Sequence, residues 1–112
     1  MAQKTFTITL HSSFKAKHWH DGALNEPMHE HNFKYEAVFG GHLNKEGYIA
    51  DFREIEEKLK EINLKLEGKD LNIILRYPTA ENLASYLFDE IQKSFPQLVK
   101  IIVQESENYY AS

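Results

Sequence analysis

The chain contains no cysteine. That excludes a disulfide framework, a thiolate metal centre and a cysteine nucleophile. Proline and glycine are scarce, three and five among 112 residues, which excludes collagen-like and Pro/Gly-rich disordered chains. No apolar run approaches the roughly 18 residues a membrane-spanning helix needs. The opening Met1-Ala2-Gln3-Lys4-Thr5-Phe6 lacks the apolar region of a secretory signal. No lysine- or arginine-rich run is present and the net charge is -4. Phosphate backbones are held by clustered basic faces, so nucleic acid is not expected as the main partner. What is present is ordinary for a globular protein, 42% hydrophobic and 27% charged residues without linker, repeat or low-complexity segment. The expectation is one soluble cytoplasmic domain over residues 1–112. A domain of this size buries only part of its surface, which favours assembly into oligomers.

Periodicity gives the elements. From Thr5 the chain alternates, with Phe6, Ile8 and Leu10 on one face and threonines on the other, the pattern of a half-buried strand. Without a bulge, the apolar face continues through Ser12, Phe14, Ala16 and His18. Asp21-Gly22 reads as a turn and residues 20–28 as a loop. A second alternating run carries His29, His31, Phe33, Tyr35, Ala37 and Phe39 on one face. Gly40-Gly41 suggests a bulge or bend, Asn44 to Gly47 a turn, and Tyr48 to Ala50 a short returning strand. Asp51 caps a helix with Glu54 at the capping-box position, and Phe52, Ile55, Leu59 and Ile62 follow at helical spacing. Lys65 to Tyr77 reads as a loop holding a short apolar run, Ile73 to Leu75. Thr79 caps a second helix with the stripe Leu83, Tyr86, Leu87 and Ile91, ended by Phe95-Pro96. Val99, Ile101, Val103 and Glu105 share one face of a third long strand, and Asn108 to Ala111 begin a fourth. The order strand, strand, helix, helix, strand, strand gives an α+β layer architecture, with the helices on one face of an antiparallel sheet.

Three features stand out against this frame. His29 and His31 are two apart on a strand, so both leave the same, otherwise apolar face. Neutral imidazole is a good zinc ligand, and three histidines with an open fourth position mark a catalytic zinc. His18 ends the inward face of the first strand and is a candidate third ligand. His20, two residues on, competes for that role, and solvated strand-end histidines are the plainer alternative. His11 and His42 read as surface histidines. Glu105 closes an apolar strand face, where an unpaired carboxylate is costly. It either reaches solvent at the strand end or accepts two parallel N–H bonds, as from the amino-amide edge of a guanine-like ring. Glu26, three before His29, is either a loop carboxylate in water or a general base beside a metal.

The ordered set of segments resembles the 6-pyruvoyl-tetrahydropterin synthase and 6-carboxytetrahydropterin synthase family. Phe14-Lys15-Ala16-Lys17-His18 is similar to its Phe-x-Ala-x-His segment, and His29-Glu30-His31-Asn32-Phe33 to its His-Gly-His-Asn-aromatic segment. Gly47-Tyr48-Ile49-Ala50-Asp51-Phe52 resembles Gly-x-Val-x-Asp-Phe. Leu71-Asn72, Pro78-Thr79-Ala80-Glu81-Asn82 and Val103-Gln104-Glu105-Ser106 resemble Leu-Asn, Pro-Thr-x-Glu-Asn and Val-x-Glu-Thr. The resemblance implies a tunnelling fold whose protomers join edge to edge into a β-barrel, typically a homo-hexamer of two stacked trimers. It also implies Zn2+ on His18, His29 and His31, and a pterin anchored by Glu105 at a subunit boundary.

The sequence departs from the family pattern at three places. The usual catalytic cysteine, four before the first paired histidine, is Asn25; the Leu-Asp-His relay segment is Leu66-Glu67-Gly68; and the central glycine of His-Gly-His is Glu30. One variant class, often called type III, carries Glu three before the histidine pair, where Glu26 stands. By resemblance that class cleaves a dihydroneopterin to 6-hydroxymethyl-7,8-dihydropterin in an aldolase-like step toward folate. The expectation is therefore a zinc-dependent lyase with Glu26 as base. A pyruvoyl- or carboxy-type synthase and a non-catalytic pterin-binding protein are the alternatives.

Overall fold

The computed structural model describes residues 4–18, 29–106 and 109–112, except for the side chains of residues 18, 29, 105, 106, 109 and 110. Strands β1 (Phe6–His18) and β2 (His29–Gly41) precede helices α1 (Phe52–Leu66), α2 (Leu71–Ile74) and α3 (Ala80–Gln92), and strands β3 (Leu98–Ser106) and β4 (Tyr109–Ala111) follow. The four strands form one antiparallel sheet in the order β1-β2-β3-β4. The helices pack against β1, β3 and β4 on one face, as the helix-period apolar stripes require.

The β1–β2 ladder runs without a register shift from Phe6 opposite Gly41 to His18 opposite His29. Even positions of β1 and odd positions of β2 therefore share a face, and Phe14, Ala16, Phe33, Tyr35, Ala37 and Phe39 on it are buried. Ile55, Leu59, Ile62 and Leu66 of α1 and Leu83, Leu87 and Ile91 of α3 complete that core. Inside it, the Tyr35 hydroxyl donates to Asn63 Oδ1 and Asn63 Nδ2 donates to Ser12 Oγ, each at 2.7 Å. These two hydrogen bonds tie α1 to both long strands. Burial pushes the Tyr35 phenol above its ordinary range, and its bonds with Ser12 and Asn63 pull the other way.

Both expected caps form. The Asp51 carboxylate accepts from the Arg53 amide, and the Thr79 hydroxyl from the Asn82 amide. The Asn44–Gly47 turn forms too, with Asn44 Oδ1 accepting from the amides of Glu46 and Tyr48 and Gly47 at a φ of +91°.

Several local expectations are corrected. Tyr48 to Ala50 form no returning strand, with Ile49 and Ala50 in bends, and Asn44 holds the Tyr48 amide that a ladder would need. Phe52 lies at the outer side of α1, half exposed. The apolar run near residue 73 belongs to the short helix α2, capped by the Asp70 carboxylate on the Asn72 amide. The bulge falls between Val38 and Phe39, not at the glycine pair. It brings Leu98 opposite Phe39 while Lys100 pairs with Val38. The residue between, Val99, is turned out and 57% exposed, and Leu98 takes its place in the core.

Candidate functional site

One end of the sheet gathers the histidine positions. His18 and His29 are direct partners at the end of the β1–β2 ladder, and His31, opposite Ala16, is one same-face step further in. All three positions have the parity of the buried residues Phe14, Ala16, Phe33 and Tyr35. The side chains of His18 and His29 lie outside the described residues, as do residues 19–28, which include His20 and Glu26. The His31 ring is partly buried and meets the edge of Phe33, with centroids 5.8 Å apart and planes at 68°. Phe33 in turn stacks on Phe14 at 5.5 Å, and Phe14 touches Tyr35 at 6.1 Å. An aromatic column thus runs from His31 into the core.

Glu105 reaches the same end from β3. Lys34 pairs with Gln104, so Glu105 falls level with Phe33, two residues along β2 from His31. On the other side, Gln104 pairs with Tyr110 and Ser106 with Tyr109, which leaves Glu105 as the extra residue of a bulge. Bulges break pairing and re-aim the residues they contain, and they recur beside active sites. The sequence pattern placed Glu105 on this face but did not show the bulge.

The loop from α1 to α2 closes the outer edge of β1 beside these positions. The Lys15 amide donates to Glu67 Oε2 at 2.6 Å, the Gly68 amide to the Lys15 carbonyl at 2.7 Å, and the Lys17 amide to the Lys69 carbonyl at 2.8 Å. Gly68 sits at a φ of +70°, in the left-handed region that suits glycine. Glu67, at the family's relay-segment aspartate position, thus serves an edge amide. Spacing gave no hint of this contact, which joins residues 52 apart. Glu30 pairs with Lys17, is exposed, and has the opposite parity to the histidines. His11 and His42 are exposed as expected, His11 against Glu36 and His42 against the Lys4 carbonyl.

Four antiparallel strands in chain order, with two long helices on one face, make this an α+β domain of the tunnelling type. The family profile described as 6-pyruvoyl tetrahydropterin synthase matches residues 7–112. The chain is 33% identical over 94 residues to the dihydroneopterin monophosphate aldolase of Pyrococcus furiosus, covering 84% of this chain and 82% of that one. It is 29% identical over 97 residues to the human 6-pyruvoyl tetrahydrobiopterin synthase, covering 78% and 67%. The Caenorhabditis elegans 6-pyruvoyl tetrahydropterin synthase structure superposes with a TM-score of 0.84 at 17% identity, over 98% of this chain and 95% of that one. The chain belongs to the 6-pyruvoyl tetrahydropterin synthase family.

Proposed function

We propose that this chain is a zinc-dependent lyase that cleaves the side chain of 7,8-dihydroneopterin, or of a phosphate of it, to 6-hydroxymethyl-7,8-dihydropterin. The observation that carries this reading is a full histidine set combined with Glu26 and no cysteine anywhere in the chain. A relative described as a dihydroneopterin monophosphate aldolase supports it.

The donor set fits zinc. Directly opposed residues of an antiparallel ladder bring their side chains close together, and three imidazoles with an open fourth position would make the donor set of a catalytic zinc. His18 and His29 occupy such a pair and His31 lies beside it. When bound there, zinc supplies a Lewis acid that lowers the pKa of hydroxyl groups next to it.

The remaining steps belong to the protein. Glu105 accepts the amino and amide N–H groups of the pterin, fixing the ring at the bulge. Glu26 takes the proton of the side-chain 2′-hydroxyl. The bond between the first two side-chain carbons breaks, and the 2′ carbon leaves as an aldehyde. Its electron pair passes into the conjugated dihydropterin, and a proton returned to the first side-chain carbon completes the hydroxymethyl group.

Incubating the purified protein with dihydroneopterin and its mono- and triphosphate, then identifying the products, tests this reading. Hydroxymethyl-dihydropterin is expected. A pyruvoyl or carboxy product from the triphosphate would establish the synthase alternative, which the human relative's activity favours and the missing cysteine opposes. Bound but unchanged pterin would establish a binding protein.

Glu105→Gln should weaken pterin binding by roughly ten- to a hundredfold, because an acceptor oxygen becomes a donor facing the ring's own donors. Zinc content should stay constant. Isothermal titration with a pterin measures it, and unchanged affinity rejects the anchor role.

We also place the active form as a homo-hexamer, a dimer of trimers with sites at subunit boundaries. Alternate residues of an edge strand direct their backbone groups outward. The loop bonds at Lys15 and Lys17 put the backbone N–H and C=O groups of Thr9, His11 and Ser13 in that outward set, on the side of β1 that faces no strand among the described residues. Exposed edges call for partners, and a closed barrel removes them. Native mass spectrometry should find a trimer or hexamer; a fully active monomer would refute the arrangement.

A further inference from the structure

The face of the sheet turned away from the helices carries charge opposite to the rest of the molecule. Its exposed or partly exposed positions are the odd residues of β1, the even residues of β2, and Lys100, Ile102 and Gln104 of β3. Among the described residues this face bears Lys15, Lys17, Lys34 and Lys100 against Glu30 and Glu36, a net of +2 on a chain whose total is -4. A localised field of this kind raises the local concentration of anions.

A concavity of about 290 Å³ lies on this face, with Ser13, Lys34 and Gln104 forming one cross-strand row and His11, Glu36 and Ile102 the next. Glu36 is the acid within it, and Glu36 Oε1 lies 3.3 Å from His11 Nδ1, which offsets its charge when the ring is protonated. Among the described residues, no hydrogen bond or ion pair engages the Lys34 ammonium, the Ser13 hydroxyl or the Gln104 amide. Three donors of different reach thus line one small depression, and one of them is a full positive charge. Charge-assisted donors are the strong ones for oxyanions, and lysine acts toward phosphate as a point charge.

We infer that this depression is a binding site for a phosphate group, either free or carried as a monoester. It is separate from the proposed catalytic end, since Ser13 and Lys34 have the opposite parity to His18, His29 and His31, although Ser12 and Tyr35 of the histidine face also border it. Lys34 supplies the charge, and Ser13 and Gln104 donate to the remaining oxygens.

Isothermal titration of the intact oligomer with inorganic phosphate, at constant ionic strength and without pterin, tests the site. Saturable binding is expected. Lys34→Met should weaken it about tenfold or more, Ser13→Ala less, and Glu36→Gln should tighten it by removing the opposing charge. Phenyl phosphate should displace inorganic phosphate if esters are accepted; binding of inorganic phosphate alone would restrict the site to the free ion. No saturable binding, or binding unchanged in Lys34→Met, overturns the inference. Because neither catalysis nor pterin enters the measurement, its failure leaves the lyase reading intact.

Discussion

Glu26→Gln should lower the rate of hydroxymethyl-dihydropterin formation by about two to four orders of magnitude, the usual effect of removing a general base. Zinc content and pterin affinity should remain those of the parent protein. The substitution is nearly isosteric and removes only the ability to accept a proton. In the sequence Pro27 follows Glu26, and a proline narrows the backbone angles open to the residue before it. The structure also thins the field of competing carboxylates. Glu30 has the wrong parity and is exposed, and one Glu67 oxygen is held by the Lys15 amide at 2.6 Å. Single-turnover kinetics with dihydroneopterin, beside direct metal analysis, is the decisive measurement. A normal rate in Glu26→Gln would make Glu26 a bystander.

Loss of the metal is the second large effect. The parent protein should contain about one zinc per chain, the stoichiometry of a three-histidine catalytic site. His18→Ala, His29→Ala and His31→Ala should each lose most of it, whereas His20→Ala should keep it. Register is the reason for that contrast. His18 stands directly opposite His29 in the ladder, while His20 lies outside the described residues. Because a ligand that binds only the folded state stabilises it by mass action, the three empty variants should also unfold at lower temperature. At free zinc a thousandfold above the dissociation constant the difference is roughly 4 kcal/mol. Emission spectrometry and thermal melts with and without chelator read both quantities. An empty site in His20→Ala beside a full one in His18→Ala would reassign the third ligand.

Much of this is legible in the sequence itself. Alternation placed β1 and β2 and the face they share, because a period of two has only one way to bury Phe14, Ala16, Phe33 and Tyr35 together. Helix caps at Asp51 and Thr79 were readable because a single side chain decides them. Contacts set by tertiary packing were not readable. Val99 and Leu98 exchange roles through a bulge against the neighbouring strand, and both residues suit a core equally well. Glu67 gains its meaning only when a loop returns to the β1 edge. At the site, parity could place three histidines on one face, but only the continuous ladder shows that positions 18 and 29 are direct partners.

That ladder has a genetic consequence. β1 and β2 pair without interruption over the full 13 residues of each strand. An in-frame loss of one codon between Phe14 and His18 would invert the face of everything beyond it in β1. Position 18 would then leave the side of the sheet that holds positions 29 and 31, with every remaining residue chemically intact. Many point substitutions along the open face should be tolerated, yet a single-residue length change in this strand should not. Length variation among related genes is therefore expected to avoid β1 and β2.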